Sequence, residues 1–127
     1  MEILFDSISD GEILWTRFVG DLDDAGLLRY YQRMKNENML QKYTRELVDG
    51  RQIRAMHTTA EGQQELAVLV GGLENQLRGY RLAMLADSDL VFGMFRMWEM
   101  QRADLNYEVR VFRNYDDALA WLETTPV

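Results

Sequence analysis

Between residues 80 and 122 the spacing of apolar positions changes from one segment to the next, and each change predicts a different element. Residues 82–86, LAMLA, are unbroken apolar, the pattern of a strand covered on both faces. Asp87, Ser88 and Asp89 then open a helix in which Leu90, Val91, Phe92, Met94, Phe95, Met97, Trp98 and Met100 go round the whole circumference. Residues 107–112 alternate and read as an outer strand. Asn114 stands three residues before Asp117 and marks a helix start, with Ala118, Leu119, Trp121 and Leu122 as its apolar face and Pro126 after its stop. The segment is therefore strand, helix, strand, helix.

The first half is less regular. Residues 2–5 form a short apolar strand, and the loop after it ends in the turn pair Asp10–Gly11. From residue 12 to 19 Ile13, Trp15 and Val19 point one way and Leu14 and Phe18 the other, which predicts the second strand of a hairpin ended by Gly20. Asp21 reads as the cap of a helix with Asp23 and Asp24 near its positive end and Leu27, Leu28, Tyr31 and Met34 as its buried stripe. Residues 42–49 form a weaker strand with Tyr43, Leu47 and Val48 inside, followed by a polar, basic loop to residue 58. Thr58 begins a capping box with Glu61, and a helix carrying Leu66, Leu69, Val70, Leu73 and Leu77 runs on to Gly79, with Gly71 and Gly72 inside it. A hairpin followed by strands alternating with helices predicts an α/β domain over residues 1–127: about five strands in a mixed sheet, partly parallel, and about four helices.

Composition narrows the chemistry. The 127 residues include no cysteine, which excludes thiol catalysis, disulfides and thiolate metal sites. The net charge of −7 disfavours nucleic acid, whose binding needs a positive surface. No apolar run is long enough to span a bilayer and the start has no secretory pattern, so a cytoplasmic protein is expected. Only Lys35 and Lys42 of the 14 basic residues are lysines; the arginines suit planar carboxylate partners, of which there are 21.

The phrases RLAMLADSDLVFGMFRMWE and VRVFRNYDDALAWL resemble the penultimate and final strand–helix pairs of the SpoIIAA-like family. That family is a branch of the STAS-type fold, related to CRAL-TRIO lipid-binding domains. The strand ending in Gly20 and the acidic helix start after it fit the same plan. The resemblance implies a non-enzymatic domain. Anti-sigma-factor antagonists of this fold bind a kinase partner and are switched by phosphorylation in an Asp-Ser-Ser/Thr-Gly type motif after the third strand. Here that region reads DGRQIRAMHTTAEG, and Thr58 and Thr59 occupy the place with the Asp and Gly out of register. The CRAL-TRIO relation implies instead a hydrophobic ligand beneath a mobile helix.

Three places hold candidate chemistry. The helix from 88 to 102 would serve as a packed central helix, as a dimer face, or as one wall of an apolar ligand pocket through Met94, Met97 and Trp98, since methionine adapts to irregular ligands. Asp87 and Ser88 lie past the carboxyl end of a buried strand, where ligands bind in α/β sheets, although capping is their plainer role. Arg51 and Arg54 beside Thr58 and Thr59 form an anion or phosphate site, set against a solvated loop. His57 is the only histidine, and no cofactor or metal site is indicated. The reading is a non-catalytic regulatory module acting through protein contacts, a second copy of the chain included. Its rivals are a carrier of a lipid or small hydrophobic ligand and a small hydrolase using Ser88 or His57.

Overall fold

The computed structural model describes residues 1–103 and 105–124, the side chain of Glu74 excepted; Pro126 lies outside them. The order is β1 (Glu2–Ile8), β2 (Ile13–Asp23), α1 (Asp24–Asn36), α2 (Met39–Lys42), β3 (Arg45–His57), α3 (Ala60–Gly72), α4 (Glu74–Leu77), β4 (Arg81–Leu85), α5 (Asp89–Gln101), β5 (Glu108–Phe112) and α6 (Tyr115–Glu123). The strands form one sheet in the order β1-β2-β3-β4-β5. The hairpin pair β1–β2 is antiparallel and every later pair is parallel. This is the mixed five-stranded sheet read from the sequence.

Alternation along the strands divides the core. Leu14 and Phe18 of β2, Val48 of β3 and Leu82 and Met84 of β4 meet α1, α3 and α5 on one face. Ile13, Leu47, Ala83 and Leu85 meet Ala118 and Leu122 of α6 on the other. Every residue of β4 is buried, as its unbroken apolar run requires. β5 is an edge, and Glu99 of α5 covers it by accepting the Val111 N–H at 3.1 Å.

Four expectations are corrected. Six helices are present among the described residues rather than about four: α2 is a single turn after Asn38 (φ 55°), and the helix expected to run through Gly71 and Gly72 breaks at Leu73 into α3 and α4. Two adjacent glycines give a helix little reason to continue. β2 does not end at Gly20 but continues to Asp23, with Gly20 at φ +104° inside it. The expected basic loop at 50–58 is largely strand, since β3 runs to His57 against the extended β2. Two register shifts insert extra residues on β3 in this stretch and erase the alternation that would have revealed it. The caps also move: Asp23, not Asp21, caps α1 through the Gly26 N–H at 2.7 Å, and Thr59, not Thr58, caps α3.

α5 approaches β3 most closely at Gly50, where a Cβ would lie 2.8 Å from the buried Phe95 ring. Gly50→Ala should therefore destabilise the fold by about 1–3 kcal/mol. At the exposed helical Gly93 a Cβ meets nothing within 4 Å, so Gly93→Ala should stabilise by about 0.5–1 kcal/mol. Urea midpoints of the two variants, moving in opposite directions, check the assignment.

Candidate functional site

The helix starts cluster at the carboxyl ends of the parallel strands, and most of their polar groups are occupied by caps or ion pairs. Ser88 Oγ accepts the Val91 N–H at 3.2 Å, and Asn114 Oδ1 accepts the Asp117 N–H at 3.0 Å. Both are the capping roles expected from sequence. Asp87 and Ser88 are exposed, and Asp89 binds Arg113 at 2.7 Å. Thr59 Oγ1 accepts the Gly62 N–H at 3.0 Å and donates to Asp24 Oδ2 at 2.6 Å, while the Thr59 N–H donates to Asp24 Oδ1 at 3.0 Å. The carboxylate of the capping box thus comes from the neighbouring helix α1 rather than from Glu61. Gly62 is needed for this approach, because a Cβ there would fall 2.1 Å from the Asp24 carboxyl carbon.

The arginines expected beside Thr58 and Thr59 face carboxylates instead. Arg51 clamps Asp49 with Nε at 3.0 Å and Nη2 at 2.8 Å. Burial works against the Asp49 charge, but the Arg51 bonds and the Trp15 indole hold its carboxyl below the ordinary range. Arg54 bonds Asp21 at 2.8 Å and holds its carboxyl low as well. His57 leans on the same Asp21 at 3.9 Å. Ser88 and His57 are therefore engaged separately, and no hydrogen bond joins them among the described residues, so the Ser88–His57 hydrolase arrangement is not assembled.

Within the chain α5 is covered on one side only, so of the three roles open to it the fully packed central helix is not the one observed. Val91, Phe95 and Trp98 are buried, with Trp98 3% exposed, and Met94 is half-buried. Leu90, Met97 and Met100 stay 59%, 44% and 70% exposed along the outer side. Among the residues expected to line a ligand pocket, Trp98 is therefore inside while Met97 is exposed. Asp87 and Ser88 sit at the helix start, apart from both.

Sequence reasoning missed the most deeply buried acid among the described residues. Glu46 of β3 lies between the sheet and the helices, 1% exposed. Thr16 Oγ1 donates to it at 2.6 Å, the Tyr30 hydroxyl at 2.8 Å and the Tyr80 hydroxyl at 2.9 Å. Burial raises its pKa above the ordinary 4.5, outweighing the three donors, and drives both tyrosine hydroxyls well above their ordinary 10. The signal was present in the parity of KYTRELVD. Glu46 shares a face with Val48, and a central parallel strand has no solvent face on which to place it. Beyond this network, Arg102 donates to the Tyr31 hydroxyl at 3.0 Å.

No family model and no curated protein matches the chain. Solved structures do. An uncharacterized protein of the DUF3478 family with a SpoIIAA-like fold, from Shewanella loihica, is similar with a TM-score of 0.61 at 20% identity, over 95% of this chain and 92% of that one. The anti-sigma factor antagonist SpoIIAA in its unphosphorylated form matches with a TM-score of 0.58 at 12% identity, over 94% of each chain. The phosphorylated form of the Bacillus cell fate determinant SpoIIAA gives 0.58 and 12%, over 96% of this chain and all of that one. These likenesses establish a SpoIIAA-like fold; the CRAL-TRIO relation is not supported by them.

Glu46 makes stability depend on pH with a definite sign. The folded state holds its proton to higher pH than the unfolded chain does, so this contribution is complete below pH 4.5 and falls as the pH rises through the folded-state pKa. Glu46→Gln stays neutral and keeps an acceptor. Relative to the parent, its urea midpoint should rise progressively from acid to neutral pH.

Proposed function

We propose that this chain is a non-catalytic regulatory module that acts by protein contact, docking through the outer side of α5. The observation that carries the reading is the stripe of Leu90, Met97 and Met100, which remains exposed on a helix whose other side buries Val91, Phe95 and Trp98. Exposed apolar groups gathered on one helix face mark interaction surfaces, and methionine adapts to more than one partner shape. The helix interior offers Gly93 beside these residues with open space over it, so a partner can come close to the backbone. The fold supports the same reading: the similar SpoIIAA is an anti-sigma factor antagonist, and its solved forms include a phosphorylated one.

Two measurements test the face. Light scattering of the parent, Met97→Glu and Met100→Glu reads self-association; a dimeric parent with monomeric variants identifies the occupant as a second copy. A photo-crosslinking residue at position 97 or 100, expressed in the source cells, should otherwise give a defined adduct with another protein. A monomeric parent together with crosslinks no different from those of a control at Glu65 would remove the proposal.

A second reading, a sensor or carrier of a small hydrophobic ligand, is favoured by a cleft between α3 and α5. It opens to solvent over about 160 Å³ and leads towards an enclosed space of about 20 Å³ under α1 and α5. A lipid would need several hundred Å³, so this reading is confined to small ligands.

A further inference from the structure

The cleft between α3 and α5 is lined by Leu66, Ala67 and Val70 on one side and by Arg102 and Leu105 on the other. Gln63, Leu66 and Arg102 also line the enclosed space beyond, where they meet Trp98 and Tyr31. Two polar atoms in this wall are buried without a hydrogen-bond partner, Trp98 Nε1 and Gln63 Nε2. A buried donor left unpaired is costly, and native proteins leave few of them. Trp98 can only donate.

Arg102 adds a charge to the same wall. Seven other arginines, at 33, 45, 51, 54, 81, 96 and 113, are ion-paired to carboxylates. Arg102 is half-buried and its neighbours are the hydroxyls of Tyr31 and Tyr107; no carboxylate pairs with it among the described residues. Burial pushes the Tyr107 hydroxyl up to about 12, so it remains neutral beside the guanidinium. One cation and two residues with unused donors therefore line the same small space, and the cleft beside it is largely apolar.

We propose that this cleft binds a small monocarboxylate with a short apolar tail. The carboxylate accepts from the Arg102 guanidinium, the Trp98 indole N–H and the Gln63 amide, and the tail lies outward against Leu66, Ala67 and Val70. A carboxylate has the acceptors this wall lacks, and its charge neutralises a partly desolvated guanidinium. The enclosed space holds about one water, which leaves the tail in the outer cleft and limits its length. The site gives the small-ligand reading its location and head group and rests on that reading; its donor Trp98 is buried, whereas Met97 and Met100 of the docking stripe are exposed.

Butyrate and its uncharged counterpart butyramide are the probes, followed through the Trp98 indole N–H resonance, assigned with Trp98→Phe, and by calorimetry. Butyrate should move the indole signal saturably and butyramide should not. Affinity should fall about tenfold to a hundredfold in Arg102→Gln and about twofold to tenfold in Trp98→Phe, which keeps the ring packing if the arginine variant fails to fold. An indole signal indifferent to butyrate, equal binding of butyramide, or equal binding of inorganic phosphate would overturn the assignment. A neutral hydrophobic compound that raises the melting temperature without moving the indole signal would overturn it too, while leaving the broader small-ligand reading in place.

Discussion

A carboxyl group sealed from water must find its hydrogen bonds inside the protein, and Glu46 finds them on three different segments. Thr16 belongs to β2, Tyr30 to α1, and Tyr80 to the chain just before β4. Each donor is useful only when its own segment is docked at the correct register, because a one-residue slip of a strand turns the side chain to the other face. Burial of Glu46 thus couples the placement of α1 over the sheet to the pairing of β2 with β3 and of β3 with β4. The aromatic packing is built on the same residues: the Tyr30 ring meets Phe18 edge-on at 5.2 Å and Tyr31 at 4.8 Å.

Winding in one direction explains where exposed chemistry remains. With strand order equal to chain order, the crossovers from β2 to β5 all advance the same way and place α1, α3 and α5 side by side on one face. No reversal opens a crevice of the kind that holds nucleotides in doubly wound sheets. α5 lies last in the row, over the β5 edge, and its outer side meets no further helix. Its apolar circumference is therefore divided: Phe95 and Trp98 complete the core while Met97 and Met100 face solvent. The cleft opens where α5 faces α3, so one helix borders both candidate surfaces.

How much of this was legible depends on whether the controlling contacts are local. β4 was readable because five successive apolar residues between turn signals fit a strand covered on both faces. The caps at Ser88 and Asn114 were readable because their bonds are made within three residues. β3 beyond Asp49 was not readable. Its residues 50–57 mix polar and apolar side chains without a clean alternation and are interrupted by register shifts, and they are held as strand by pairing with the extension of β2. The caps at Asp23 and Thr59 were misplaced by two positions and one because the strands before them run further than expected, β2 to Asp23 and β3 to His57. Pairing of Arg51 and Arg54 with Asp49 and Asp21 likewise turned an expected anion site into two ion pairs.

The sequence by itself determined the order of the five strands and the four longer helices, because apolar period and capping residues act over a few residues. It also determined that arginines and carboxylates would pair, since their numbers and chemistry require it. Only the tertiary structure decided which side of α5 is covered, which acid is sealed in the core, and which arginines face carboxylates. Those outcomes turn on desolvation, and whether a group loses its water is fixed by segments far away in the chain that fold over it.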